Sequence, residues 1–233
     1  MTERGRDSLR YALATVVLVA TLATLVVTGA TAGLDTAVVT AATDVTRAHP
    51  WLREALIVVE EVTRPVWLYA VATAVCAVAA VRDGLAGRAL AAWLTMMAVW
   101  GSAALLKLVV GRERPDVADA VWDHGGLSFP SGHATNATAM SLAVAVLLWP
   151  VVGATARRGL VLGAAALVTA AVLDRVLLGV HYPSDVLAGM LYGGGLVLAG
   201  SRLWPRPSRT LGADVPDARR GTPPAGPTPH RHP

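Results

Sequence analysis

The chain has 233 residues, of which 54% are apolar and only 15% are charged, and its formal net charge is +4. This balance excludes an ordinary water-soluble domain and favours an integral membrane protein. The single cysteine, Cys76, excludes a disulfide framework and a cysteine metal site within this sequence. The basic residues are not interleaved with aromatic ones, so we expect no nucleic-acid partner.

Six apolar blocks lack the alternation of strands and are long enough to cross a bilayer as helices, which takes roughly 17 to 25 residues. In chain order they cover about residues 11–33, 65–81, 89–110, 134–155, 159–178 and 184–203. The sequence therefore predicts an all-α, polytopic membrane protein. Its six transmembrane helices form one bundle over residues 11–203, after a cytoplasmic N-terminus of residues 1–10.

The first block also has some features of a secretory signal. Basic residues precede it, and Ala30, Thr31 and Ala32 resemble a cleavage site for such a signal. Its apolar run is longer than the roughly 7 to 15 residues of a signal's hydrophobic core. The segment "TGATAG" also suits close packing of helices. We therefore interpret the block as a transmembrane span.

The segment between the first two spans, residues 34–65, contains apolar residues without a complete span. It predicts two short helices on the membrane surface, separated at His49 and Pro50. A packing role is favoured over a functional one for this segment.

Thirteen arginines fall on one side of a six-span arrangement. They are Arg4, Arg6, Arg10, Arg82, Arg88, Arg157, Arg158, Arg202, Arg206, Arg209, Arg219, Arg220 and Arg231. The positive-inside rule places this side in the cytoplasm, and with it both termini. We expect a plasma-membrane protein whose other side is the outer face. Residues 204–233, rich in Pro and Arg, are predicted to be a disordered cytoplasmic tail.

Polar residues gather at the outer ends of the spans. Lys107, the only lysine, lies near the outer end of the third span, and Arg114 follows seven residues later. If the helix continues to Pro115, these two cations lie on one face about 10 Å apart. They would then be able to share an anion. Arg112 and His124, in the segment between the third and fourth spans, are interpreted as exposed loop residues.

A second polar stretch, Pro-Ser-Gly-His at residues 130–133, comes directly before the fourth span. Ser131 is a good N-cap, Gly132 lets the backbone approach a ligand closely, and His133 lies in the first turn. Because helix N-termini bind anions, this stretch predicts half of a phosphate site.

A third polar stretch joins the fifth and sixth spans. Arg175 closes the fifth span, and His181 lies just before the start of the sixth. Asp185 follows His181 by four residues, so it can hold the proton on Nδ1 and leave Nε2 as a base or nucleophile.

Three motifs occur in order: Lys107, six residues, Arg114-Pro115; then Pro130-Ser131-Gly132-His133; then Arg175, five residues, His181, three residues, Asp185. This pattern resembles the phosphatidic acid phosphatase type 2 superfamily. That superfamily includes membrane lipid phosphate phosphatases and the soluble vanadium haloperoxidases. The resemblance covers about residues 10–203.

The chain departs from the family pattern at one position. Asp174 stands where the family usually has a serine before the arginine of the third motif. Its carboxylate either pairs with a cation of the site and weakens phosphate binding, or it faces away.

The resemblance implies that His181 attacks phosphorus and forms a phosphohistidine, that Asp185 orients His181, and that His133 protonates the leaving group and then activates water. It implies phosphate binding by Lys107, Arg114, Ser131, Gly132 and Arg175. It implies no metal and no cofactor. Since His181 must start neutral and His133 charged, we expect a bell-shaped pH profile.

The expected function is hydrolysis of a phosphomonoester or pyrophosphate of a membrane lipid. Phosphatidate, phosphatidylglycerol phosphate and polyprenyl pyrophosphate fit equally well. A lipid phosphotransferase of the same superfamily is one alternative. The other is a transporter or scaffold without enzymatic activity, which would place charges at several depths in the membrane. The sequence does not indicate an oligomeric state.

Overall fold

The computed structural model describes residues 1–116 and 125–206. Within these residues the chain is all-helical, which confirms the predicted class. The helices are α1 (Glu3–Val27), α2 (Ala32–Ala48), α3 (Pro50–Val62), α4 (Pro65–Arg82), α5 (Ala86–Val110), α6 (Gly132–Leu148), α7 (Ala154–Leu177) and α8 (Pro183–Ser201).

Six of these helices correspond to the six apolar blocks, and α2 and α3 occupy the segment between the first two. The break between them at His49 and Pro50 is confirmed. The first block ends earlier than predicted, because α1 stops at Val27 and Gly29 adopts a positive φ of 78°. A left-handed backbone at this position ends the helix and turns the chain into α2.

Four helices, α1, α4, α5 and α7, are long and apolar enough to cross a membrane. Helix α6 is apolar but has only 17 residues. Helix α1 exposes Leu13, Val16 and Val17, which lipid would cover. These features are those of an integral membrane protein, whereas six complete crossings stay a prediction.

The centre of the bundle is held by close contact between α6 and α8. A Cβ atom at Gly189 or Gly193 would lie less than 3.0 Å from the carbonyl oxygens of Ser131 and Thr135, respectively. Only glycine permits this approach, as small residues commonly do between membrane helices. The contact fixes the N-terminal end of α6 against α8, which places two of the three motifs side by side.

Two of the arginines predicted to share one side, Arg4 and Arg88, lie at one end of the bundle. Arg88 donates to the carbonyl oxygens of Val146 and Pro205, and Arg4 donates to that of Trp204. Trp204 is 1% exposed and donates its indole N–H to Thr95. The packed region therefore includes Trp204, where the sequence predicted the tail to begin. Residues 207–233 of that predicted tail lie outside the described residues.

The segment of α2 and α3 packs against the opposite end of the bundle. Leu56 of α3 is buried with Leu178 and Val180, which follow α7. Thr46 of α2 donates a hydrogen bond of 2.8 Å to the carbonyl oxygen of Leu177. The two helices thus cover the end of α7 at which the third motif begins.

Candidate active site

The first motif lies at the end of α5 and in the segment after it. The helix ends at Val110, and Gly111 adopts a left-handed φ of 64°. The helix therefore does not continue to Pro115, and the condition set for Lys107 and Arg114 to share a helical face is not met. Lys107 Nζ instead donates to the carbonyl oxygen of Leu127 at 2.8 Å, next to the second motif.

Arg114 reaches the third motif from this non-helical segment. Its Nη1 donates to the carbonyl oxygen of Val180 at 2.7 Å and lies 3.1 Å from His181 Nε2. Burial lowers the pKa of the Arg114 guanidinium, and the positive charge of Arg175 lowers it further. Arg114 is thus within electrostatic reach of Arg175, although the two lie in different motifs.

The second motif forms the N-terminal end of α6. The backbone N–H of Ser131 donates to the carbonyl oxygen of Asp185 at 2.9 Å. Its side-chain oxygen is buried and has no hydrogen-bond partner among the described residues. A Cβ added to Gly132 would meet no described atom within 4 Å. A buried hydroxyl group and open backbone at a helix N-terminus are suited to an anion.

His181 is held through its Nδ1 atom. Ser128 Oγ lies 3.2 Å from Nδ1, and the Ser128 hydroxyl donates to Asp185 Oδ2. Asp185 Oδ2 itself lies 3.6 Å from Nδ1. The predicted carboxylate therefore acts on the imidazole partly through a serine that the sequence analysis did not single out. Ser128 lies two residues before Pro130, just ahead of the second polar stretch, and this position was the available signal.

The protonation state of His181 follows from its surroundings. Burial lowers the pKa of His181 to about 3, and the charges of Arg114 and Lys107 also lower it, whereas Asp185 raises it. His181 is therefore neutral near pH 7. With Nδ1 held and Nε2 beside Arg114, the imidazole presents its unprotonated nitrogen on the side where a phosphate would bind.

Asp185 is fully buried and accepts hydrogen bonds on both oxygens. Oδ2 accepts the backbone N–H of Tyr182 at 2.9 Å, and Oδ1 accepts Nη1 of Arg112 at 2.7 Å. Arg112 also pairs with the buried Asp35 of α2 at 2.7 Å. Arg112 is thus a partly buried ion-pair residue, and our interpretation of it as an exposed loop residue was wrong. His124, interpreted in the same way, lies outside the described residues.

Arg175 lies in the last turn of α7 and is fully buried. Its Nε donates to Asp174 Oδ2 at 2.6 Å, and its Nη2 contacts the same oxygen. Of the two alternatives for Asp174, the structure therefore shows the pairing with a cation of the site. The guanidinium keeps its Nη1 on the side of His133, at 3.5 Å from Nδ1.

His133 lies between Arg175 and a residue of α3. Its Nε2 is 3.9 Å from Oε1 of Glu60, and the same oxygen is 3.8 Å from Arg175 Nη1. Glu60 was not among the predicted site residues. The structure thus brings the predicted residues together and adds Ser128, Arg112 and Glu60 to them.

The site as described contains four cationic side chains, those of Lys107, Arg112, Arg114 and Arg175, together with two imidazoles and a helix N-terminus. No group of three or more His, Cys, Asp or Glu side chains that could hold a metal ion occurs in the described ranges. Such an arrangement can neutralise phosphoryl oxygens and offers one neutral imidazole as a nucleophile.

The sequence profile of the PAP2 superfamily matches residues 86–209, more than half of the chain. These residues contain all three motifs. The chain belongs to the PAP2 superfamily, a family of phosphatases, which confirms the resemblance found in the motifs.

Curated relatives of the chain are also phosphatases. The chain is 45% identical over 91 residues to the decaprenylphosphoryl-5-phosphoribose phosphatase of Mycolicibacterium smegmatis, covering 38% of this chain and 44% of the relative. It is 36% identical over 114 residues to the lipid A 1-phosphatase of Rhizobium etli, covering 44% of each. The chain therefore spans less than half the length of these curated relatives.

A solved structure agrees over a larger part of the fold. The transmembrane PAP2-type phosphatidylglycerolphosphate phosphatase of Bacillus subtilis superposes with a TM-score of 0.65 at 26% sequence identity. The superposition covers 82% of this chain and 92% of that protein. It therefore includes most of the chain.

Proposed function

We propose that this protein is a membrane lipid phosphate phosphatase that hydrolyses a phosphomonoester or pyrophosphate through a phosphohistidine. The observation that carries the proposal is the position of the His181 ring. Its Nδ1 lies 3.2 Å from Ser128 Oγ, its Nε2 lies 3.1 Å from Arg114 Nη1, and burial lowers its pKa, which favours the neutral form. A buried neutral imidazole beside a cation is what in-line attack on an anionic phosphoryl group requires.

In the first step, Nε2 of His181 forms a bond to phosphorus while the bond to the leaving oxygen breaks. The leaving oxygen takes a proton from His133. Lys107, Arg114 and Arg175 offset the charge on the phosphoryl oxygens, together with the hydroxyl of Ser131 and the backbone at Gly132. Most of the catalysis is then positioning and electrostatic stabilisation, as is usual for phosphoryl transfer.

In the second step, a water molecule attacks phosphorus and the bond to His181 breaks. His133 takes a proton from this water, and inorganic phosphate leaves. Asp185 and Ser128 keep the proton of His181 on Nδ1 throughout, so Nε2 alone reacts. The two imidazoles thus have separate roles, nucleophile for His181 and acid then base for His133.

For the substrate, we infer a membrane lipid with a terminal phosphate. The named relatives act on a decaprenyl-linked phosphoribose, on lipid A and on phosphatidylglycerolphosphate. These lipids differ in their apolar parts, and all of them carry a phosphate at the polar end. The Mycolicibacterium relative has the higher sequence identity of the two curated ones, which makes a polyprenyl-linked sugar phosphate the first compound to test.

For the membrane arrangement, we propose six crossings with the site on the outer face. The site lies at the end of the bundle opposite to Arg4, Arg88 and Arg202. The positive-inside rule places those arginines in the cytoplasm. A lipid headgroup in the outer leaflet would then meet the site while its chain stays in the bilayer.

The test uses the full-length protein purified in detergent and a panel of lipid phosphates. We expect release of inorganic phosphate with and without EDTA. Brief incubation with a radiolabelled phosphate ester should give a phosphoprotein that is labile in acid and stable in base, as phosphohistidine is. Loss of activity with EDTA, or no release from any lipid phosphate, would contradict the proposal. A phosphorylated alcohol in place of free phosphate would indicate a phosphotransferase.

A further inference from the structure

One face of α3 is buried, and a carboxylate lies within it. Leu56 and Glu60, four residues apart, are 6% and 4% exposed, and Thr63 is 1% exposed. Glu61, which follows Glu60 in α3, is exposed and accepts hydrogen bonds from Arg64 and Trp67 at the surface. Two adjacent glutamates of the same helix therefore have opposite environments, and only Glu60 faces the site.

The carboxylate of Glu60 lies within ion-pair distance of site residues from two other helices. Its Oε1 lies 3.9 Å from Nε2 of His133 and 3.8 Å from Nη1 of Arg175. A buried carboxylate is costly unless cations face it, and both of these neighbours can be cations. Since neither belongs to α3, the position of Glu60 depends on how α3 packs against α7.

The two edges of the His133 ring face different groups. Nε2 is on the side of Glu60, and Nδ1 is on the side of Arg175 Nη1, at 3.5 Å. An oxygen bound to Arg175 would therefore meet Nδ1. A negative charge near Nε2 favours the imidazolium form and keeps one proton on Nε2, so that Nδ1 is the atom that gives its proton away.

We propose that Glu60 is a positioning residue that keeps His133 in its proton-donating form. The inference rests on the proposed function, because it assigns a partner to the acid of that reaction. Within residues 1–116 and 125–206, Glu60 of α3 and Arg175 of α7 are charged groups that face His133, and Asp174 lies behind Arg175. Asp174 contacts Nε and Nη2 of Arg175, whereas Oε1 of Glu60 lies within ion-pair distance of the His133 ring.

The test compares Glu60→Gln with Glu61→Gln, its exposed neighbour on the same helix, in the full-length protein. Two substrates are used, a short-chain phosphatidate and p-nitrophenyl phosphate. The alcohol released from phosphatidate needs a proton, whereas p-nitrophenolate leaves without one. The measured quantity is kcat/KM, which reports the step that forms the phosphohistidine.

For Glu60→Gln, we expect kcat/KM for phosphatidate to fall about 10- to 100-fold, and that for p-nitrophenyl phosphate to fall less than about 3-fold. The alkaline limb of the phosphatidate pH profile should move to lower pH by about one unit, because the charge that favours imidazolium is lost. Glu60→Asp keeps the charge and should restore part of the activity. Glu61→Gln should behave as wild type on both substrates.

Three results with an active wild type would overturn the inference. An equal loss on both substrates, with a lower unfolding temperature, would mean that Glu60 only supports the fold. Tighter inhibition by inorganic phosphate without loss of kcat/KM would make Glu60 a counterion of Arg175 alone. Full activity with an unchanged pH profile would give Glu60 no part in the reaction. If wild type and Glu61→Gln hydrolyse neither substrate, the proposed function fails, and this inference fails with it.

Discussion

The site contains two pairs of a histidine and a carboxylate, and they are built differently. His181 and Asp185 are four residues apart around the start of α8, and their side chains lie 3.6 Å apart. His133 and Glu60 come from α6 and α3, and their side chains lie 3.9 Å apart. The first pair follows from local helix geometry, whereas the second exists only because α3 packs on the bundle. The first pair can therefore be predicted from the sequence, whereas the second cannot, although the two distances are similar.

The largest expected effect is at the nucleophile of the first pair. His181→Ala should lower kcat/KM by about 10³-fold or more on every phosphate ester, because it removes the proposed nucleophile. The matched control is His49→Ala, which removes an exposed imidazole between α2 and α3. The measurement is phosphate release, together with the unfolding temperature of each variant. Retained activity in His181→Ala would remove the phosphohistidine from the mechanism.

The second pair should show an effect that depends on the substrate. His133→Ala should lower kcat/KM by about 10²- to 10³-fold on phosphatidate, whose alcohol needs a proton to leave. The fold loss in kcat/KM on p-nitrophenyl phosphate should be smaller by a factor of about 10 or more, because p-nitrophenolate is a weak base and leaves without a proton. Initial rates with both substrates measure the ratio. Equal losses on the two substrates would show that His133 does not act as the general acid.

Much of the fold could be predicted because hydrophobic blocks determine where helices form in a membrane protein. The break at His49 and Pro50 was also visible, since proline disfavours helix in the residue before it. The end of α5 at Val110 was predicted correctly, because the apolar block of residues 89–110 ends there. The condition that the helix continues to Pro115 was not met, since Gly111 adopts a left-handed conformation directly after Val110.

The site residues that could be predicted are those that lie in the three short sequence motifs. Ser128 and Arg112 were missed or misinterpreted because their partners, Asp185 and Asp35, come from distant parts of the chain. Glu60 had one signal in the sequence, since it extends the helical stripe of Leu52 and Leu56 while Glu61 does not. That stripe indicates burial, and it does not indicate which residues lie opposite.

The contribution of Ser128 to the pair of His181 and Asp185 can be tested separately. Ser128→Ala removes the hydroxyl between His181 Nδ1 and Asp185, and leaves the carboxylate 3.6 Å from the ring. We expect kcat/KM to fall about 10-fold on both substrates, which corresponds to the loss of one hydrogen bond to a charged group. Ser201→Ala, at the other end of the bundle, is the control. A loss as large as that of His181→Ala would mean that Asp185 acts only through Ser128.

The smallest expected effect is at the position where this chain departs from its family. Asp174 occupies Nε and Nη2 of Arg175, so its carboxylate competes with phosphate for that guanidinium. Asp174→Ser should therefore tighten inhibition by inorganic phosphate about 3-fold and change kcat by less than about 3-fold, as for a modest change in one ion pair. Asp44→Ser, which breaks the exposed pair with Arg47, is the control. Weaker phosphate inhibition in Asp174→Ser would give the opposite conclusion, that this carboxylate holds Arg175 in position for the substrate.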